Sequence, residues 1–357
     1  MTDLTTARSP SALLERYADL LARPGESFPI SLGEGATPLI RARRLGAAVG
    51  VDRLFLKFEG TNPTGSFKDR GMVLAVNRAV AAEARMVVCA STGNTSASAA
   101  AYAAAAGLRC GVVLPAGKVA RGKLAQALAA GARLVLTDGN FDAALEAVRE
   151  LGQSGEAVVV NSINPDRLEG QQTVAWEICD TLGAAPDAVA LPVGNAGNIT
   201  AAWRGFVAYA EAGRADARPR MLGFQAAGAA PIVNGAAVAD PETVATAIRI
   251  GNPASWAGAT VARDESGGLI EAVTDEQILA AQADIARLEG VFCEPASAAG
   301  VAGVRQLAAS GRLERSATVV CILTGHGLKD PDTAPGHAGD LAPVPATADA
   351  IRAALDG

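Results

Sequence analysis

Short apolar runs rich in valine recur along the chain: MVVCA (86–90), CGVVLP (110–115), RLVLT (133–137), AVVVN (157–161), AVALPV (188–193) and ATVVCILT (317–324). Their length and β-branched content predict strands buried on both faces. Between them lie alanine-rich stretches of helical length, TSASAAAYAAAAG (95–107), RGKLAQALAAG (121–131) and FDAALEAVRELG (141–152). Each ends at a glycine suited to close a helix. Alternating strand and helix predict an α/β fold, parallel strands covered by helices, because parallel neighbours need crossover connections. No repeat of solenoid period and no Ser/Gly linker divides the chain. A second domain must therefore be inserted within the first, with cuts near 55, where VDRLFLKFEG begins, and near 157. That gives a larger domain of residues 1–55 and 157–357 and a smaller one of 56–156.

The 357 residues are half hydrophobic, enough for two cores. Low aromatic content, 4%, suits helices packed closely through alanine. Net charge is −6 with no basic tract, which removes the source of attraction for nucleic acid. The N-terminal stretch MTDLTTARSPSALLERYADLLARPG has no apolar core of signal-peptide length, and no apolar run reaches membrane-spanning length. A cytoplasmic protein without membrane association is expected. Cys89, Cys110, Cys179, Cys293 and Cys321 form no C-x-x-C pair, and most sit in apolar runs, so they are expected to be buried thiols. The two histidines, His326 and His337, are too few for a histidine-rich metal site, and no metal is expected; His337, in a Pro/Gly-rich tail, is expected to be solvated.

Three glycine-rich loops follow predicted strands, where open α/β sheets place ligands. CASTGNTSAS puts Ser91, Thr92, Gly93, Asn94, Thr95 and Ser96 before a helix, an anion site or an ordinary N-cap. ALPVGNAGNIT puts Gly194, Asn195, Ala196, Gly197 and Asn198 between strand and helix, where successive N–H groups can converge on a phosphate; a tight βα turn is the alternative. VVCILTGHGLKD ends a strand at Thr324, whose hydroxyl either faces a cleft or merely ends the strand. Two nucleotide motifs are near misses: GKVARGKL (117–124) has Leu124 where a P-loop needs Ser or Thr, and Asp330 replaces the third glycine of a G-x-G-x-x-G begun at Gly325 and Gly327.

NPTGSFKDRG (62–71) holds Lys68 between Phe67 and Asp69 in a turn bracketed by Gly65 and Gly71. Alone this is a surface lysine paired with Asp69. Beside a phosphate nest and without a metal site, it points to an aldehyde cofactor, which condenses only with a neutral amine. Pyridoxal 5′-phosphate needs a lysine, a phosphate cradle and a partner for its ring nitrogen. Lys68, GNAGN and Thr324 meet those needs.

PTGSFKDRG, STGNTSAS, PVGNAGN and LTGHGLKD, in that order, resemble the threonine synthase family of fold-type II pyridoxal-phosphate enzymes, over about Gly33 to Asp330. The lysine and asparagine loops are shared with dehydratases and cysteine synthases; GNAGN and TGHG are narrower. The resemblance implies two three-layer αβα open-sheet domains, like the tryptophan synthase β chain, with mostly parallel strands. It implies Lys68 as Schiff-base lysine and proton carrier with Phe67 beside it, Asn94 at the cofactor's 3-hydroxyl, and Gly194, Asn195, Ala196, Gly197 and Asn198 around its phosphate. Thr324 would face the ring nitrogen and leave it largely neutral.

The implied reaction is a lyase reaction, the last step of threonine biosynthesis: O-phospho-L-homoserine and water give L-threonine and inorganic phosphate by γ-elimination and β-hydration. The substrate's phosphate then needs a second anion site, for which VVVNSINPDRLEGQQT offers Asn161, Ser162 and Arg167 beside Thr92 and Thr95. Glu294 and the stretch 245–253 look family-like without a role that the residues reveal. A homodimer is implied, and the short N-terminus suggests no nucleotide-derived activator. The rivals are a threonine or serine dehydratase of the same fold and a non-catalytic phosphometabolite-binding protein. Too few residues follow Thr324 for an appended regulatory domain of usual size, which weighs against an allosteric dehydratase.

Overall fold

The computed structural model describes residues 13–91, 93–116, 121–138, 141–331 and 343–356. Among them are ten strands: β1 (Leu39–Arg41), β2 (Arg53–Phe58), β3 (Met86–Ala90), β4 (Arg109–Pro115), β5 (Arg133–Thr137), β6 (Val158–Val159), β7 (Ala188–Pro192), β8 (Arg220–Ala226), β9 (Leu269–Val273) and β10 (Thr318–Leu323). They form a six-stranded sheet in the order β1-β2-β10-β7-β8-β9 and a four-stranded sheet in the order β5-β4-β3-β6. Every pairing is parallel except β1 with β2.

The central strands are buried on both faces, as their unbroken valine runs require. In β10, Val320 and Ile322 join one core while Val319, Cys321 and Leu323 join the other. Alternate side chains point to opposite faces, so each core takes every second residue. All five are fully buried, and each such valine, isoleucine or leucine contributes about 1.5–3 kcal/mol. Strands β1, β2, β8 and β9 stand outside the predicted runs: β1 is only three residues long, and Lys57, Gln225 and Glu271 interrupt the apolar pattern of β2, β8 and β9.

The expected domain cuts do not coincide with the sheets. Residue 55 lies in the middle of β2, which pairs with β10 through Phe58. Residue 157 lies just before β6, which pairs with β3 in the smaller sheet. The alanine-rich helices appear as Asn94–Ala105, Arg121–Ala129 and Phe141–Gln153. The first two are followed by left-handed glycines, Gly107 and Gly131, whereas the third runs through Gly152 and Gly155 is left-handed instead.

One helix crossing matters for the site. The Lys68–Ala81 and Pro165–Gln171 helices meet at Gly71 and Gly170, where a Cβ would lie 2.3 Å from the Arg167 carbonyl oxygen and 2.4 Å from that of Arg70. Only glycine at both positions allows this approach, which carries Arg167 to the side of Lys68. No described helix is long and apolar enough to cross a membrane.

Candidate active site

Parallel strands put their C-terminal ends on one edge of a sheet, and the loops that leave those ends carry the residues singled out in the sequence. After β2 the chain makes a short 3-10 turn, Glu59–Thr61, and reaches Lys68 as the first residue of a 14-residue helix. Lys68 therefore opens a helix instead of sitting inside a turn, and Gly71 belongs to that helix. Gly65, at φ +84°, makes the turn before it. This loop is zipped to the one after β10: the Phe67 N–H donates to the Thr324 carbonyl at 3.0 Å and the His326 N–H to that of Gly65 at 2.9 Å.

Asp69 does not pair with Lys68. Its carboxylate accepts from the Thr64 N–H at 2.7 Å, the Thr64 hydroxyl at 2.6 Å and Ser98 Oγ at 2.6 Å. Lys68 Nζ lies 4.1 Å from the Phe67 ring centroid and has no hydrogen-bond or ion-pair partner among the described residues. Burial and the nearby Arg167 charge lower its pKa to about 7, against a smaller opposing pull from Glu294. The positive end of the helix acts in the same direction.

The loop after β3 leads into the Asn94–Ala105 helix, whose first turn no side chain caps. Ser96 Oγ donates back to the Gly93 carbonyl at 2.8 Å, so the ordinary N-cap reading does not describe this turn. Asn94 Nδ2 donates to Glu294 Oε2 at 3.1 Å. Thr95 is buried in the same turn, and Thr92 lies outside the described residues, as does His337.

After β7, Ala196 adopts the left-handed region (φ +63°, ψ 0°) and the 15-residue Gly197–Glu211 helix begins. A left-handed residue beside a helical one turns successive N–H groups toward a common point, an anion nest. A Cβ at Gly194 would come within 2.9 Å of Ile248 Cα, so segment 245–253 walls this loop. Asn195 turns away as a staple, accepting from the Ala254 N–H at 2.8 Å and donating to Ser162 Oγ at 2.9 Å. Asn198 Nδ2 is buried and has no partner among the described residues.

Arg167, fully buried, donates from Nη1 to the Val160 carbonyl at 2.9 Å, while Nε and Nη2 have no partner among the described residues. Burial lowers its pKa to about 10, which still leaves it charged. Asn161 is committed elsewhere: its side chain exchanges two hydrogen bonds with the Ala90 backbone, at 3.1 and 2.9 Å, extending the β3–β6 ladder. Thr324, at the end of β10, donates to Glu294 Oε1 at 3.0 Å and lies 3.1 Å from Ser297 Oγ.

The structure thus brings Lys68, Phe67, Asn94 and Thr324 together through shared contacts and sets Arg167 close enough to act on Lys68. It turns the Asn161 and Asn195 side chains to backbone and loop pinning. Sequence reasoning left Glu294 without a role; the available signal was a lone carboxylate in the apolar stretch VFCEPASAAGV, which the fold buries. The five thiols are buried and pushed up by burial, Cys110 to about 11 and Cys179 to about 12, so none is a nucleophile near neutral pH. Among the described residues no group of three or more His, Cys, Asp or Glu could hold a metal ion.

A nearly neutral unpaired amine, an N–H nest with an orphaned amide donor and a half-committed arginine fork fit a phosphate-bearing aldehyde. The comparisons with known proteins agree. Residues 30–325 match the model of the family described as pyridoxal-phosphate dependent enzyme. The threonine synthase of Halalkalibacterium halodurans is 56% identical over 322 residues, covering 90% of each chain. That of Mycobacterium leprae is 54% identical over 349 residues, covering 97% of each. Maize serine racemase has the same fold, with a TM-score of 0.71 at 23% identity, covering 82% of this chain and 88% of that one. By the family match and these relatives, the chain belongs to the pyridoxal-phosphate dependent enzymes and, among them, to the threonine synthase family.

Proposed function

We propose that this chain catalyses the conversion of O-phospho-L-homoserine and water into L-threonine and inorganic phosphate. The observation that carries the reading is the Lys68 amine, unpaired among the described residues, lowered to a pKa of about 7 at a helix start, with the half-committed Arg167 near enough to act on it. At its reference pKa of about 10.4, roughly one lysine in 2,500 would be neutral at pH 7. At about 7, half are neutral, and a nucleophile and base becomes available without a second group to activate it.

Pyridoxal phosphate, when bound, supplies the carbonyl that an amine condenses with and a conjugated ring that spreads the charge left when a proton leaves carbon. Gly194 to Asn198 hold its phosphate through the nest and the free Asn198 amide. Asn94 and Thr324 orient its ring edge. Lys68 takes the proton from the substrate's Cα and then from Cβ, the phosphate leaves from Cγ, Lys68 returns a proton to Cγ, and water then adds its hydroxyl at Cβ as a proton is restored to Cα. Arg167, with Thr92, Thr95, Asn161 and Ser162 around it, is read as the receiver of the substrate's phosphate. Its open Nε and Nη2 support this part; the Asn161 side chain is occupied by Ala90, and Arg167 is fully buried.

The same reading takes the protein as a cytoplasmic homodimer, with the four-stranded sheet and its helices as the smaller, inserted unit. Sedimentation of the purified protein checks the dimer, and cell fractionation the location.

The function is tested by adding pyridoxal phosphate and then O-phospho-L-homoserine to purified protein while following the visible spectrum, phosphate and threonine. A band that forms and shifts, with both products, and that is lost in Lys68→Ala, is expected. A 2-oxo acid formed from threonine, with no phosphate released from O-phospho-L-homoserine, would replace the reading with a dehydratase.

A further inference from the structure

Glu294 occupies a place that the reading above leaves unexplained. It precedes Pro295 as the N-cap of the 15-residue Pro295–Ala309 helix, yet its side chain makes no capping bond there. The carboxylate turns instead toward the loops of the site and is 3% exposed. One oxygen accepts from Thr324 Oγ1 at 3.0 Å, the other from Asn94 Nδ2 at 3.1 Å. A buried carboxylate used only to end a helix would turn to that helix's own N–H groups.

The surroundings fix it in this pose. The Glu294 N–H donates to the Gly325 carbonyl at 3.0 Å. A Cβ at Gly325 would lie 2.7 Å from the Glu294 carboxylate carbon, so glycine there leaves the space the carboxylate fills. Ser297 Oγ accepts from the Gly325 N–H at 3.0 Å and holds Thr324 from the other side at 3.1 Å. Asn94 opens the helix that follows β3 of the smaller sheet, and Thr324 directly follows β10 of the larger one. Glu294 therefore joins the two across the cleft.

We infer that Glu294 is a positioning residue for the cofactor: a single carboxylate sets the Asn94 amide and the Thr324 hydroxyl in the orientation in which they meet the ring edge between its nitrogen and its 3-hydroxyl. The inference rests on the reading of Asn94 and Thr324 as cofactor contacts. A carboxylate only accepts, so it claims one amide hydrogen of Asn94 and the hydroxyl hydrogen of Thr324. Asn94 is left with its other N–H and its oxygen for the ring, and Thr324 with an oxygen lone pair, which can accept from a protonated ring nitrogen but not meet the neutral one that the resemblance implies. Without the carboxylate the amide is free to flip and the hydroxyl to rotate.

The test uses full-length protein freed of cofactor. Affinity for pyridoxal phosphate, the wavelength of the bound cofactor's band and the thermal midpoint without cofactor are measured for Glu294→Gln, Thr324→Val and Asn94→Ala, and for Glu294→Gln combined with Thr324→Val. Losing charged hydrogen bonds of this kind predicts that Glu294→Gln weakens binding about tenfold or more and moves the band. The double variant is expected to lose less than the product of the two single losses. If Thr324→Val and Asn94→Ala weaken binding while Glu294→Gln keeps wild-type affinity and band, the contacts stand and the role of Glu294 is overturned. A lower thermal midpoint in Glu294→Gln with affinity and band unchanged overturns it equally, because that is a structural role alone. If Thr324→Val and Asn94→Ala both bind as wild type, the reading of the contacts fails and the inference with it. Should Glu294→Gln not fold, Glu294→Asp, whose carboxylate is one methylene short of spanning both partners, is judged by the same readouts.

Discussion

At the scale of single residues, the chemistry turns on the state of one amine. Burial holds Lys68 near a pKa of about 7, so the rate at which cofactor-free protein captures pyridoxal phosphate is expected to rise with pH and level off above that value. Stopped-flow absorbance across the pH range checks this; a rate still climbing steeply toward the ordinary lysine value would contradict it. The same shift has a sign for stability. The folded pKa lies below the ordinary lysine value of 10.5, so between about 7 and 10.5 the unfolded chain binds more protons and stability rises with pH. Replacing Lys68 by Met removes that dependence, and the variant's gain in thermal midpoint over cofactor-free wild type is predicted to be largest below about 7 and to vanish as 10.5 is approached. The lysine, its glycine neighbours and the GNAGN loop were legible because small residues and hydroxyls after a strand have few other reasons to cluster. The Glu294 contacts were not, because Asn94 and Glu294 are 200 positions apart and only the fold makes them neighbours.

At the scale of elements, the Lys68 helix is anchored by a buried ionic network beneath it. Lys57 on β2, Glu59 in the turn that follows, Arg70 on the helix and Glu177 on the Thr173–Leu182 helix are all nearly or fully buried. Arg70 donates to Glu59 at 2.6 Å and to Glu177 at 2.7 Å, and Lys57 donates to Glu177 at 2.7 Å. Burial alone would raise the Glu177 pKa, but Arg70 and Lys57 overrule it and hold the carboxylate well below the usual range. Its contribution is therefore present above the ordinary carboxylate pKa and is lost as pH falls through the folded value. Glu177→Ala strands the buried Lys57 and leaves Arg70 with Glu59 alone, and is expected to cost about 3–5 kcal/mol, read from urea denaturation; a loss below ~1 kcal/mol would contradict the network's role. Gly170→Ala, which would drive a methyl into the Arg70 carbonyl, is expected to destabilise by about 1–3 kcal/mol and to displace Arg167. The strands with unbroken valine runs could be read from the chain. Those carrying Lys57, Gln225 or Glu271 could not, since the buried Lys57 and Gln225 mimic a surface pattern and Glu271 is a partly exposed charge that breaks the apolar run.

At the scale of the whole molecule, two parallel sheets present the loops at their strand ends to one another, and the cofactor reading makes the ligand a brace between them. A ligand that binds only the folded chain stabilises it by about 2.7 kcal/mol at a hundredfold excess over Kd. Pyridoxal phosphate is accordingly predicted to raise the thermal midpoint of the wild type, and to raise that of Lys68→Ala much less. The alternation of strand and helix made the architecture readable, but its division was not, because β2 and β6 each pair with strands on the far side of the expected cuts. The central claim concerns which bond breaks, so the direct measurement is turnover of O-phospho-L-homoserine in water enriched in oxygen-18. Loss of phosphate from Cγ followed by hydration at Cβ predicts label in the threonine hydroxyl and none in the released phosphate. Label in the phosphate, with homoserine as the other product, would mean hydrolysis at phosphorus and contradict the account.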